Sequence, residues 1–422
     1  MTWWDGPGQS SNQLVGWWNS FNDAELSRLI GLALKQSPDI SSAIAAVREA
    51  QALRKASASS LFPSLDYSAS RGISKVWKSD NGKSLQSFSA GLSTSWEADL
   101  FGKNQKQLLA ADAGARAVEA NLASARTSLA AETALAYLQL RAAESDFSLV
   151  QDSIRSQEET TQLAVWRRQA GQADALESDQ AQSALASAQA SLASLTQSIE
   201  QLKNRLTLLT GQAPRTLAIS DGGAIPSPND RLAKNIPTDT LRQRPDVRAA
   251  GYRWLQSIAQ TEAVRAEQFP SLTLSGSLGV NSTGVTKVFN PESIAGNLVA
   301  GLVGPIFDAG RIRSRITAQN AVEEQAFHSY QKSLLTALSE VEDALIACRR
   351  SQEQIQSLVK ASQFAQSAAK LAAEKYEAGV IDFSQVLETQ RSEITLQRQL
   401  ASSRLDYSSA HIALYRALGG GW

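Results

Sequence analysis

The chain has 422 residues, with 41 basic and 41 acidic side chains, a formal charge of zero and a single cysteine, Cys348. Zero net charge argues against a nucleic-acid partner, which needs a basic face to neutralise phosphates. One cysteine rules out a disulfide framework and a thiolate metal site, and no apolar run reaches the ~18 residues of a membrane helix.

The opening Met1 and TWWDGPGQSS lack the charged and apolar regions of a secretion signal and read as a mature start, compatible with export after a signal is removed. Met1–Gln36 stands outside the plan that follows, which is a duplication. Phe-Pro-Ser-Leu occurs at Phe62 and again at Phe269, an offset of 269 − 62 = 207. At that offset SPDI (Ser37–Ile40) falls on RPDV (Arg244–Val247). One residue further out of phase, AGQAD (Ala170–Asp174) falls on AGVID (Ala378–Asp382), and Gly211 on Gly419. A unit of roughly 200 residues is too long for a solenoid repeat and reads as a duplicated fold.

Each copy opens a helix at Pro-Asp, where Pro38 or Pro245 suits the first turn and Asp39 or Asp246 the helix dipole. Pro63 and Pro270 end these helices by pushing Phe62 and Phe269 out of the α region. Period-two alternation follows. Leu65, Tyr67, Ala69 and Ile73 share one face, and Phe88, Ala90, Leu92, Thr94, Trp96, Ala98 and Leu100 follow the turn-like Lys78–Ser84. In the second copy Leu272, Leu274, Gly276, Leu278 and Val280 alternate with Ser and Thr, and after FNPES the pattern continues through Leu298, Ala300, Leu302 and Ile306. These are four β-strands in two hairpins.

Proline-free helices are predicted from Lys103 to Ala170 and from Arg311 to Ala378, each roughly 100 Å long at 1.5 Å per residue. Their Ala, Ser, Gln and Leu suit coiled-coil packing. Gly171 and Gly379 stand where a helix end needs a left-handed residue. Asp174 and Asp382 follow as N-caps, with Glu177 and Gln385 at capping-box spacing. Each long helix then returns, to Gly211 or Gly419. Between the copies, Gln212–Asp239 is an irregular connection expected to pack beside the N-terminal segment, midway along the helices.

Strands alternating apolar residues with Ser, Thr or Gly match transmembrane β-strands, with Tyr67, Trp77, Phe88, Trp96, Phe289 and Phe307 as interfacial aromatics. Four strands cannot close a barrel, so several chains must contribute, and the arithmetic permits eight strands from a dimer or twelve from a trimer.

The duplicated plan, both FPSL switches, PIFDAGR (Pro305–Arg311), KYEAGVIDFSQVLETQRS (Lys375–Ser392), LYRALGGGW (Leu414–Trp422) and VGWWNSFND (Val15–Asp23) resemble the TolC-like outer-membrane efflux proteins, in their OprM/NodT-type branch. The resemblance implies a mostly α protein with a membrane β-barrel portion: a homotrimer with a twelve-stranded barrel in the bacterial outer membrane and an α-helical periplasmic tunnel below it. It assigns residues 1–36, 212–240 and 419–422 to an equatorial region. Residues 37–62, 102–211, 244–269 and 308–418 form the tunnel, and 63–101 and 270–307 the barrel. The implied function is the passive exit duct of a tripartite multidrug or toxic-compound efflux pump. Its partners would be a periplasmic adaptor and an inner-membrane transporter of the RND, MFS or ABC class, with no cofactor and no catalysis. Many members of the branch are acylated on a mature N-terminal Cys; this chain has none there, and lipidation stays open.

The resemblance also implies a periplasmic gate of Tyr376, Glu388 and Arg391, with Glu388 where the family often has Asp. Only the second hairpin carries this pair, because Glu388 aligns with Gln180 and Arg391 with Ser183. On spacing alone, Glu388 and Arg391 also fit an exposed i,i+3 pair. Asp382 could be a cap or part of a carboxylate ring at the entrance. Gly171 and Gly379, with Asp174 and Asp382, are candidate adaptor-docking turns; grooves between the long helices are the alternative. An enzyme finds no support: His328 and His411 lie in helical patterns, and no P-loop, nucleophile elbow or ligand cluster occurs. The three acids of Ser339–Arg350 read as a solvated helix face. Competing readings are a protein-secretion exit duct and a soluble coiled-coil scaffold.

Overall fold

The computed structural model describes residues 16–75, 84–229, 243–283 and 290–420. Trp77, Phe289, nearly all of the expected Lys78–Ser84 turn, the connection after Asn229 and the two C-terminal residues lie outside that description. Seven α-helices and four strands follow in chain order among the described residues: α1 (Ala24–Gln36), α2 (Pro38–Ser59), β1 (Ser64–Lys75), β2 (Ser84–Ala98), α3 (Lys103–Gln169), α4 (Ala175–Leu209), α5 (Pro245–Ala266), β3 (Ser271–Ser282), β4 (Ile294–Val303), α6 (Arg311–Glu377) and α7 (Phe383–Ala417). No described helix is long and apolar enough to cross a membrane. The chain divides into two compact units. One comprises the described residues within Ala45–Ala120 and Arg248–Ser333; the other those within Met1–Ile44, Asn121–Val247 and Leu334–Trp422.

The first unit holds the sheet, antiparallel throughout in the order β1-β2-β3-β4. Register sorts its residues by polarity. Leu92 stands opposite Tyr67 on one side and Leu278 on the other, and Leu278 opposite Gly296. Trp96 stands opposite Leu274, and Leu274 opposite Ala300. In the other phase Ser93 faces Asp66 and Ser277, and Ser277 faces Asn297. Directly opposed residues project to the same face, so one face is mainly apolar across four strands and the other mainly Ser, Thr, Gly and Asn, with Asp66, Glu97 and, on β4, Ala295, Val299 and Val303. Several of the apolar side chains are exposed, Tyr67 by 87% and Leu298 by 82%. Ile306, expected in the fourth strand, lies beyond it; β4 ends at Val303, before Gly304-Pro305, and Ile306 is fully exposed.

The helix-to-strand switches are pinned locally. The Trp96 indole Nε1 donates to the Leu61 carbonyl at 3.0 Å, tying β2 to the end of the preceding helix. Phe101 and Phe269 stack with ring centroids 4.7 Å apart. The two long helices start on matching caps that the sequence reading had not identified. The Asp99 carboxylate accepts from the Asn104 and Gln105 amides, and Asp308 from those of Gly310 and Ile312.

The second unit has its main core around the middle of α3. Trp17, Phe21, Leu26, Leu29 and Ile30 of the N-terminal segment pack on Ala130–Leu140 of α3 and on Ile412 and Tyr415 of α7. Leu217, Ile219 and Ile225 of the connection cover the same cluster, so the N-terminal segment and the connection do share one site. Polar bonds fix it: the Tyr137 hydroxyl donates to Asp23 at 2.9 Å, and Arg141 donates to Tyr137, Glu144 and the Ser220 carbonyl.

The duplication is visible where each return helix ends. Gly211 has φ +70°, and a Cβ there would stand 2.5 Å from the Gln36 carbonyl oxygen. Gly419 has φ +77°, and a Cβ would stand 3.0 Å from the Arg244 Cα. Each Pro-Asp helix start therefore seats against the glycine end of a return helix. In the second copy Arg244 is buried and donates to Asp246, Glu340 and the Ala417 carbonyl. Glu340 is thus one acid of Ser339–Arg350 that is not merely a solvated face. Burial alone would raise the Asp246 carboxyl; the Arg244 guanidinium outweighs that and holds it below the usual range.

Candidate functional site at the hairpin turns

Two helical hairpins of the second unit meet near their turns: α3–α4 around Gly171 and α6–α7 around Gly379. Both glycines adopt the left-handed conformation, at φ +72° and +73°, with open space where a Cβ would project. Gly171 N–H reaches Arg168 O at 3.0 Å and Gly379 N–H reaches Tyr376 O at 2.9 Å, closing the last turn of each long helix. The caps then differ. The Asp174 side chain accepts from the Leu176 and Glu177 amides at 2.8 and 3.2 Å. Asp382 occupies the same position with no side-chain cap bond; only its carbonyl accepts, from the Gln385 amide at 3.1 Å. The expectation of two equal side-chain caps is corrected accordingly, and the exposed Asp382 carboxylate is left to solvent.

The capping box is also incomplete at Glu177, because its carboxylate is used elsewhere: the Tyr376 hydroxyl donates to Glu177 Oε1. Tyr376 is buried, its ring packs on Phe383 with centroids 5.3 Å apart, and the Arg167 guanidinium lies 4.7 Å over the ring. Arg167 Nη1 also donates to the Tyr376 carbonyl at 3.2 Å. Ala164, Ala181, Ala372, Val386 and Leu387 complete this small core, drawn from both hairpins. Burial first, and then the Glu177 carboxylate, push the Tyr376 phenol up to about 12. Tyr376 therefore locks two hairpins of one chain.

Glu388 and Arg391 are not part of that lock. Both are exposed, and among the described residues they form no ion pair with each other or with a third group. The i,i+3 pair that their spacing allowed is absent. Arg391 instead lines a groove of about 190 Å³ with Val150, Ser153, Ala184 and Gln390. Further along, Arg398 of α7 holds Asp146 of α3 at 2.8 and 3.1 Å. Sequence reading missed Arg167 and cast Glu177 only as a cap residue. The signal available was the asymmetry of the copies: Glu177 aligns with Gln385, so the second hairpin lacks the matching acid.

Comparison with known proteins places this arrangement. The family model described as "outer membrane efflux protein" matches twice, over residues 29–212 and 236–420. The toluene efflux pump outer membrane protein TtgF of Pseudomonas putida is 32% identical, with 99% of this chain and 87% of that protein covered. The pyoverdine export outer membrane protein OpmQ of Pseudomonas aeruginosa is 32% identical, with 96% and 87% covered. The solved outer-membrane channel OprN superposes with a TM-score of 0.90 at 32% identity, covering 96% of this chain and 92% of that one. The double match repeats the duplication read from FPSL. The chain belongs to the outer membrane efflux protein family and is an outer-membrane component of an efflux system.

Proposed function

We propose that the protein is the passive exit duct of a tripartite pump, assembled as a homotrimer and opened at its hairpin turns by a periplasmic adaptor and an inner-membrane transporter. The observation that carries this reading is the register of the sheet. It produces a wall that is apolar outside and hydroxyl-lined inside, with β1 and β4 each paired on one side only among the described residues. Such a wall needs other copies to close, and once closed it encloses water rather than a binding cleft. Selectivity then belongs to the transporter. The relatives fit this, since proteins named for toluene and for pyoverdine are equally similar to this chain at 32% identity. The reading assigns the chain no catalytic step. The residues 63–101 and 270–307 serve as its barrel portion and the long helices as its periplasmic tunnel.

In this reading Glu388 and Arg391, exposed and without an ion-pair partner among the described residues, bond to a neighbouring copy and hold the resting duct shut. Tyr376 keeps each copy's two hairpins together as one moving part. Gly171, Asp174, Gly379 and Asp382 form the turns that meet the adaptor. Single-channel recording in planar bilayers tests the gate. Replacing Glu388 and Arg391 together by Ala raises resting conductance several-fold; unchanged conductance would remove both residues from the gate. Protein export through the same duct is the second reading, and an export assay with the partner transporter separates the two.

A further inference from the structure

Arg71 is out of place on the sheet. It sits in phase with Leu65, Tyr67, Ala69 and Ile73 of β1, directly opposite Phe88 of β2. Within the apolar run it is the one charge in this phase, the next being Lys75 at the end of β1; Asp66 and Glu97 lie in the opposite phase. Its guanidinium lies over the Phe88 ring, 5.3 Å from the centroid, and its side chain is exposed. No acid pairs with it among the described residues.

Depth explains where this charge lies. The apolar phase of β2 begins at Ala98, beside the helix junction, and reaches Phe88 ten residues on. At about 3.4 Å per residue and a strand tilt of about 40°, that climb is about 26 Å, one full apolar band of an outer-membrane barrel. The chemistry changes at the same level: Phe88 stands opposite Ser282, and the next in-phase residue of β2, Gln86, opposite Ile73. Arg71 and Phe88 therefore lie at the far edge of the hydrocarbon, at the headgroups of the outer leaflet. A guanidinium prefers phosphate, which it grips through two parallel N–H donors, and Phe88 beneath it excludes water from one side of that contact.

We propose that Arg71, backed by Phe88, binds the phosphate of an outer-leaflet glycolipid, so that each protomer carries one lipid A-type phosphate site on its lipid face. Pairing of β1 with another copy leaves the site open, because strand hydrogen bonds run in the plane of the sheet while Arg71 projects from it. The inference rests on the membrane-barrel reading of the sheet.

The test uses the full chain in detergent, titrated with bisphosphorylated lipid A, with the same lipid stripped of phosphate, and with inorganic phosphate, bound lipid being counted by native mass spectrometry. The expected result is phosphate-dependent retention, weakened about tenfold in Arg71→Gln, as for loss of one charge-assisted hydrogen-bonded pair. Arg71→Lys retains most of it, and Phe88→Leu loses part. Equal binding of the dephosphorylated lipid, or no change in Arg71→Gln, overturns the proposal, as does competition by millimolar inorganic phosphate. Correct folding of each variant is read from heat-modifiable migration in SDS gels. Carbonate extraction of the wild type from membranes would sink the barrel reading itself, independently of the lipid titration.

Discussion

At the scale of single residues, Tyr376 ties the two helical hairpins of one chain together. A tyrosine titrates near 10 in an unfolded chain, whereas burial and the Glu177 carboxylate push this one up to about 12. Because the folded value is the higher, the contribution is complete below about pH 10 and is lost as pH rises through about 12. Thermal melts between pH 9 and 12 should therefore fall less steeply in Tyr376→Phe than in the wild type, which itself melts higher at pH 9. Equal slopes would show that the phenol does not titrate against the fold. The left-handed glycines were legible in the sequence because a turn is a local object: AGQAD and AGVID carry their own geometry. The Tyr376–Glu177 bond was not, because it joins residues 199 positions apart and depends on how two hairpins pack. The unequal caps have the same cause. Asp174 and Asp382 share a motif, but only Asp174 turns its side chain onto its own helix.

Among elements, the strands were the most readable part of the chain. Period-two alternation named the apolar face, and the register confirmed that it is continuous across β1 to β4. Alternation could not mark where β4 stops; Ile306 kept the phase after Gly304-Pro305 had broken the strand. Opposite phases make opposite predictions at adjacent positions. Leu298 lies mid-strand on the apolar face and Val299 beside it on the hydroxyl face, opposite Ser275. Leu298→Arg should cost about 2–4 kcal/mol of barrel stability, the range for a cation facing lipid near mid-depth, and show as lost heat-modifiable migration and lower outer-membrane yield. Val299→Arg should insert normally and instead shift the channel's anion-to-cation preference in bilayers. If both variants insert equally well, the apolar phase does not face lipid.

For the whole molecule, the unfinished sheet sets the assembly. Among the described residues β1 and β4 are each paired on one side only, and in the proposed barrel their outer backbone groups would find no water in a bilayer and would have to be paired by other copies. Two copies would give eight strands, a barrel whose interior is just wide enough for side chains to fill. A transport duct needs an open lumen, and twelve strands from three copies provide one while keeping the Ser, Thr and Gly face wet. The same logic accounts for the duplication. Each copy of the repeat supplies one strand hairpin and one long helical hairpin, so in the proposed trimer three chains would contribute six of each. Native mass spectrometry in detergent should give a particle of three times the 45.3 kDa chain, plus bound lipid. Ser70→Cys in β1 combined with Val299→Cys in β4 should, with a short bifunctional maleimide, yield covalent dimers and trimers and nothing larger. A ladder ending at two would reduce the barrel to eight strands and leave no room for cargo, and a ladder running past three would mean that the edges pair without closing.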